Sequence, residues 1–212
     1  MPMQPELIKV FPTESCFSIT WELGRRCNYD CMYCPSQWHD DTSKHKSLDE
    51  LKSNWISIFN QSSYRNLKYK ISFTGGEVTG NRAFYPLMQW LREEYAHHIK
   101  QILLTTNGSA TYNYYFKLFE VVDNISFSTH TEHINEQRFF DTVIRLHKTI
   151  NSDKFMHVNI MNETWNQHRI PHYQKLLTDH NISHNVNEID YGLQTRAIPI
   201  MKGKLNLAIS NT

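Results

Sequence analysis

Phe17-Ser18-Ile19-Thr20-Trp21-Glu22-Leu23 runs through Gly24 into Cys27-Asn28-Tyr29-Asp30-Cys31-Met32-Tyr33-Cys34. The first stretch alternates apolar and polar with period two, the pattern of a strand with one buried face. Three of the four cysteines then crowd into eight residues. Thiols so close in sequence converge on one point only if the backbone wraps around something, and a metal centre is the usual something.

The junction of strand, loop and helix repeats downstream. Ser47 with Glu50 three residues on makes a capping box, and Leu48, Leu51, Trp55, Ile58 and Phe59 recur at helical spacing. Tyr69 to Phe73 predicts a second strand, running into Thr74-Gly75-Gly76-Glu77, and Leu87, Trp90, Leu91 and Tyr95 mark a second helix. A strand over Gln101 to Thr105, a turn at Asn107-Gly108, a helix over Tyr112 to Val122 and a strand over Asn124 to Ser128 follow. Next come a helix over Asn135 to Ile150, with Phe140, Val143, Ile144 and His147 on one stripe, and a strand over Met156 to Met161. A helix from Pro171, a residue suited to the first helical position, to His180 precedes a weaker strand over Ile182 to Ile189.

Strands that alternate with helices imply βαβ units and a parallel sheet. Six units fall short of the eight in a closed TIM barrel, which needs about 250 residues. The expected fold is therefore α/β, a partial (open) (β/α)6 TIM-like barrel with parallel strands. Residues 1–16, with Pro2, Pro5 and Pro12, are expected to be an irregular lead-in, residues 17–192 the barrel domain, and residues 193–212 an extension of it with a candidate last strand at Leu205 to Ile209.

The bulk numbers narrow the class. A chain of 212 residues suits one domain with a substantial core. Lysine plus arginine (22) nearly balance aspartate plus glutamate (21), so no global field favours nucleic acid or an anionic membrane. No apolar run approaches the roughly 20 residues of a membrane span, and Met1 to Glu6 lack a charged-then-apolar leader. Cysteines crowded into one loop do not form a secreted disulfide framework, so a cytoplasmic location with no membrane partner is expected. The histidines are scattered, and most are expected to be surface or satisfied polar residues.

Strand alternation also predicts a wet inner face. Ile19, Trp21, Leu23, Ile71, Phe73, Ile102, Leu104, Ile125, Phe127, Val158 and Ile160 fall on one side, suited to packing under helices. Ser18, Thr20, Glu22, Ser72, Thr74, Thr105, Ser126, Ser128, His130, His157 and Asn159 fall on the other. Closed eight-stranded barrels fill their interior with Val, Ile and Leu, so a concave side of hydroxyls, amides and imidazoles should line a cavity for a polar ligand. An antiparallel sheet with one solvated face gives the same alternation, but helices between nearly all the strands argue against it.

Two metal chemistries suit the triplet. Iron-sulfur clusters normally take four thiolates, so three local ligands leave one iron open; Cys16, before the strand, is held away by it. The alternative is a zinc site that His39 or His45 completes as Cys3His. The C-x3-C-x2-C spacing with an aromatic residue before the last cysteine resembles the radical S-adenosylmethionine (radical SAM) superfamily. Ile71-Ser72-Phe73-Thr74-Gly75-Gly76-Glu77 resembles its Gly-Gly-Glu motif, and Thr105-Thr106-Asn107-Gly108 its threonine-asparagine-glycine turn. The resemblance covers roughly Phe17 to Asn162.

It implies a [4Fe-4S] cluster on Cys27, Cys31 and Cys34, with S-adenosyl-L-methionine chelating the open iron through its amino and carboxylate groups. Reductive cleavage of that cofactor to a 5'-deoxyadenosyl radical, which abstracts a substrate hydrogen, is the implied reaction. Gly75, Gly76 and Glu77 would seat the methionine end and Tyr33 would lie beside the adenine. Ser126 and Arg138 match the spacing of two cofactor contacts in the branch that modifies peptides and sulfatases, with Ser128 and Asn159 as further contacts. A reductant such as flavodoxin or ferredoxin is the implied protein partner.

The chain also departs from the pattern. Val78 stands where proline is common, Phe127-Ser128 replaces a leucine-aspartate pair, and no cysteine follows Cys34 to hold auxiliary clusters. The expected substrate is therefore a small polar molecule, metabolite or nucleoside-like, with His130 and His157 as candidates to face it; a peptide or protein substrate is the alternative. A rival of another class is a zinc module that recognises nucleic acid, with Tyr29, Tyr33 and Trp38 stacking on bases and Arg25, Arg26 and Lys44 on phosphates. The charge balance makes nucleic acid the less favoured partner.

Overall fold

The computed structural model describes residues 16–35, 39–63 and 67–189. The expected lead-in before Cys16, the tail with its candidate strand, and Trp38 lie outside the described residues. Among those described, six strands alternate with helices: β1 (Cys16–Glu22), α1 (Leu48–Ser62), β2 (Lys68–Thr74), α2 (Phe84–Tyr95), β3 (Ile99–Thr106), α3 (Tyr112–Leu118), β4 (Asn124–Thr129), α4 (Glu136–Thr149), β5 (Phe155–Asn162), α5 (Ile170–Asp179) and β6 (Ser183–Glu188). The sheet order is β1-β2-β3-β4-β5-β6, every neighbouring pair parallel. β1 and β6 are the two edges, so the sheet is an open six-stranded barrel.

Local sequence explains the helices. Ser47 accepts from the Glu50 N–H while the Glu50 carboxylate accepts from the Ser47 N–H, so the capping box starts α1. That helix then buries Leu51 and Trp55 against the sheet, where Trp55 stacks on Trp21 at 6.3 Å and meets Tyr69 edge-on at 5.3 Å. The Tyr69 hydroxyl, deep in this apolar layer, pairs with Ser62 Oγ at 2.7 Å, which removes the cost of burying it unpaired. Phe84, Leu87, Met88 and Leu91 of α2 and Phe139, Phe140, Val143 and Leu146 of α4 continue the layer.

Two expectations need correction. Cys16 is the first residue of β1, in register with Lys68, instead of the last of the lead-in. On α4 the buried stripe runs through Phe139, Val143 and Leu146, so His147, one position and about 100° further round, turns to the partly exposed side. There its imidazole lies in the last turn of the helix.

The barrel's two ends differ in chemistry. At the end where β4 and β5 begin, Asp123 accepts from Arg92 Nη2 (2.5 Å) and from the Ile102 N–H (2.6 Å), while its carbonyl accepts from the Phe155 N–H (3.0 Å). This network ties α2, β3 and β5 together. The opposite end, where the strands finish, carries the cysteine loop and the glycine turn. The inner face is polar as expected: Ser18, Thr20 and Glu22 are exposed, and Ser72, Thr74, Ser126 and Asn159 half-buried, with Lys70 and Leu103 beside them.

Candidate active site

β1 ends at Glu22 and the chain turns through Gly24 into the cysteine loop. Backbone bonds set its path: the Cys27 N–H donates to Asp40 O (2.8 Å), the Asp40 N–H to Arg25 O (3.0 Å) and the Cys34 N–H to Cys31 O (3.0 Å). The turn after β2 lies directly on it, the Gly76 N–H donating to Gly24 O (2.8 Å) and the Glu77 N–H to Arg26 O (2.9 Å). Such close approach explains both glycines. Gly75 has φ +126°, open to glycine alone, and a Cβ on Gly76 would stand 2.1 Å from Arg26 O.

Cys27, Cys31 and Cys34 line one cavity of about 180 Å³, with Tyr33, Glu77, Asn107, Ser128 and His130 in its walls. No disulfide joins them. Cys31 is buried, and burial, reinforced by the charges of Glu132 and Cys27, pushes its thiol up; burial raises Cys27 as well. Thiols held protonated in this way lose the proton when a metal cation arrives.

Glu77 is buried in the same cavity. Its carboxylate accepts from the Thr79 N–H (3.0 Å) and hydroxyl (2.5 Å), the Thr106 hydroxyl (2.8 Å) and the Asn107 N–H (2.7 Å). No cation pairs with it among the described residues, and burial raises its pKa despite those donors. Three donors converge on Oε1 and one on Oε2, so Oε2 keeps acceptor capacity. A ligand ammonium group fits that capacity, and the ion pair would offset the cost of the buried charge.

The zinc alternative fits less well. In a tetrahedral site with Zn–S near 2.3 Å, sulfurs stand roughly 3.8 Å apart. Among the described residues the three cysteine sulfurs do not all lie within 4.8 Å of one another, a spread that suits ligands distributed over a multi-iron cluster. Neither proposed fourth ligand is poised: His39 spends its ring nitrogens on Asp30 Oδ1 (2.9 Å) and Pro35 O (3.4 Å), and His45 lies in a different pocket, beside Gly80 and Asn81.

The loop between β4 and α4 closes the cavity. His130 stacks on Tyr33 at 5.8 Å and is hydrogen-bonded to the Tyr33 hydroxyl; burial lowers its pKa to about 4, leaving a neutral imidazole. His133 stacks on Tyr29 at 5.1 Å, and the Met32 N–H donates to Glu132 Oε2 at 3.0 Å. Tyr29 and Tyr33, offered by the sequence as base-stacking residues, thus stack on this chain's own histidines. Arg25 likewise pairs with Asp40 (3.5 Å) and Arg26 donates to Ser43 O (3.4 Å).

Of the residues singled out in the sequence, the structure brings Tyr33, Gly75, Gly76, Glu77 and Ser128 to the cysteine cavity. Ser126 and Asn159 sit deeper on the inner face and bond each other, Asn159 Nδ2 to Ser126 Oγ at 2.8 Å, outside the cavity lining. Arg138 lies in a neighbouring pocket that shares Tyr29, its Nη2 donating to Ser109 O at 3.3 Å. His157 bonds Ser183 (2.8 Å) and Asn185 (2.5 Å) on the β6 side. Sequence reasoning missed Glu132, His133 and Glu163. The packing of His130, Glu132 and His133 into four residues just past a strand end was the available signal.

No protein-family model and no curated protein matches the chain. Among solved structures it is similar to SuiB of Streptococcus suis bound to the precursor peptide SuiA (TM-score 0.62, 15% identity over 82% of this chain). It is also similar to BtrN in complex with AdoMet and 2-DOIA (TM-score 0.51, 18% identity over 69% of this chain). The match spans 40% of the length of SuiB and 57% of that of BtrN. At these identities the likeness is one of architecture alone, an open barrel of parallel strands alternating with helices.

Proposed function

We propose that this chain is a radical SAM enzyme carrying a single [4Fe-4S] cluster on Cys27, Cys31 and Cys34 and acting on a small polar substrate. One observation carries the reading: three thiols and a buried carboxylate with no cation partner among the described residues open into the same cavity at the strand-end rim. Cluster and S-adenosylmethionine would supply one-electron cleavage of a carbon-sulfur bond and, from it, hydrogen-atom abstraction.

The chain's own task is positional. Thr79, Thr106 and Asn107 fix the Glu77 carboxylate, which would accept from the cofactor's ammonium group, while Gly75 and Gly76 let the β2 turn sit against the cysteine loop. Tyr33 and His130 form a flat aromatic wall on the far side and Ser128 offers a hydroxyl. Ser126 and Asn159, deeper on the inner face, and Arg138, in the neighbouring pocket, act on the substrate or the rest of the cofactor. A small protein reductant, flavodoxin or ferredoxin in kind, supplies the electron, and a cytoplasmic setting suits an oxygen-sensitive centre.

A polar substrate suits the inner face of β4 to β6, where His157, Asn159 and Asn185 present several hydrogen-bonding groups. A peptide substrate is the second reading, favoured by the likeness to SuiB, a structure that holds a precursor peptide.

Anaerobic reconstitution tests the proposal. Wild-type protein should take up iron and acid-labile sulfide and, once reduced, release 5'-deoxyadenosine from S-adenosylmethionine. Cys31→Ala should lose both the cluster and the product. Cofactor cleavage that survives in this variant overturns the ligand assignment.

A further inference from the structure

We propose that the pocket beside the cysteine cavity, across Tyr29, is an anion subsite that anchors a phosphate or carboxylate group of the substrate on Arg138. That the anion belongs to the substrate rests on the function proposed above; that the pocket takes an anion does not. The pocket measures about 250 Å³ and is walled by Asn28, Ser109, His133, Asn135 and Arg138, with Tyr29 common to it and to the cysteine cavity. A molecule seated in both would have its charged group on one side of that ring and the rest of its frame on the other.

Hydrogen bonds within the chain leave these walls rich in donors. The Ser109 N–H donates to Asn107 Oδ1 at 3.0 Å, so Asn107 offers its Nδ2 to the other side, where Asn28 Oδ1 accepts it at 2.9 Å. Asn28 is left with its amide N–H groups. Asn135 is fixed in the same way: its Oδ1 accepts from the Arg138 backbone N–H at 3.0 Å, and its Nδ2 remains. Both amides have committed their oxygen to the chain and kept their donors, an arrangement that suits an anion and repels a cation.

Arg138 supplies the charge. Its guanidinium carries five N–H donors, and among the described residues its Nη2 holds one partner, Ser109 O at 3.3 Å. Other arginines are paired, Arg25 with Asp40, Arg92 with Asp123 and Arg169 with Glu136. Among the described residues no carboxylate lines the pocket. The two acids on the same segment are engaged elsewhere: Glu136 by Arg169, and Glu132 by the Met32 N–H at 3.0 Å and His133 Nε2 at 3.8 Å. A free guanidinium fork meets two oxygens of a carboxylate or phosphate with parallel hydrogen bonds. The cofactor's own carboxylate goes to the open iron on the reading above, which leaves Arg138 for an anion of the substrate.

The test uses the full chain, purified free of iron and held at constant ionic strength, with inorganic phosphate and acetate as the probes in calorimetric titrations. Saturable one-to-one binding of at least one probe is expected, and the tighter of the two tells whether phosphate or carboxylate is the group recognised. Arg138→Gln should weaken that binding about tenfold or more, the loss expected for a charged hydrogen-bonding partner. Arg138→Lys should weaken it less, since the charge stays while the fork is lost. Asn28→Asp, which sets a carboxylate in the wall, should abolish it. Circular dichroism confirms that each variant is folded before titration. Affinity unchanged in Arg138→Gln, or no saturable binding of either probe to the wild type, overturns the proposal. So does displacement of the bound probe by S-adenosylmethionine, which would hand the pocket to the cofactor. Iron uptake and release of 5'-deoxyadenosine are measured separately. A chain that binds a probe in this pattern yet builds no cluster refutes the radical reading, and with it the substrate assignment, but leaves the anion pocket standing; a chain that cleaves the cofactor and binds neither probe does the reverse.

Discussion

Glu163 is a side chain that ties the stability of the protein to pH. Burial, then the neighbouring Glu132 charge, pushes its carboxyl up to about 8. In the unfolded chain a glutamate titrates near 4.3. Between those values the folded protein holds a proton that the unfolded chain releases, so the stability of the metal-free protein falls as pH rises through this window. From pH 5.5 to 7.5 the wild type should lose on the order of 2 kcal/mol more than Glu163→Gln does, read as the difference between their urea midpoints. Equal pH slopes in the two proteins would remove Glu163 as the cause. None of this was legible in the sequence. Met32 and its partner Glu132 are one hundred positions apart in the chain, and only the folded sheet brings the β4–α4 loop over the cysteines. Cys27, Cys31 and Cys34 were legible, because a short loop must deliver ligands at fixed local spacing.

Among elements, the contact between the β2 turn and the cysteine loop organises the rim. Its geometry is set by backbone alone: a Cβ at Gly76 would meet Arg26 O at 2.1 Å, Arg26 C at 2.5 Å and Arg25 O at 2.6 Å, none of which can swing aside as a flexible side chain would. Gly76→Ala should therefore push the two loops apart, costing about 1 to 3 kcal/mol in the urea midpoint and lowering iron uptake on reconstitution. A variant with wild-type midpoint and iron content would show that the loops tolerate separation. This contact explains why Gly75-Gly76-Glu77 could be read as functional from its position after a strand, while its first duty is packing. The strands were legible from period two, and the helices from their caps and apolar spacing. What sits opposite what was not: the parallel register of Ser126 with His157 places Asn159 beside Ser126, and they satisfy each other outside the cavity.

The molecule as a whole separates stability from chemistry. The apolar layer between sheet and helices, with Trp55, Tyr69, Phe73, Phe84 and Phe127 fully buried, lies away from the cysteine-bearing rim, and the Asp123 network closes the opposite end. The cysteine loop is itself held by backbone bonds from Cys27 to Asp40 and from the β2 turn to Gly24 and Arg26, none of which passes through a thiol. A small metal module behaves differently, because its binding energy is its folding energy and it unfolds when the metal leaves. The Cys27→Ala/Cys31→Ala/Cys34→Ala chain should consequently hold no cluster, yet keep the far-ultraviolet circular dichroism of an α/β protein and unfold cooperatively in urea. Its denaturant slope should match that of the metal-free wild type, since the slope follows the surface exposed on unfolding and the same core is exposed in both. A shallow, non-cooperative transition in the triple variant would mean that the thiols hold the fold together, and would return the rim to the zinc-module reading that the spacing of its sulfurs disfavours.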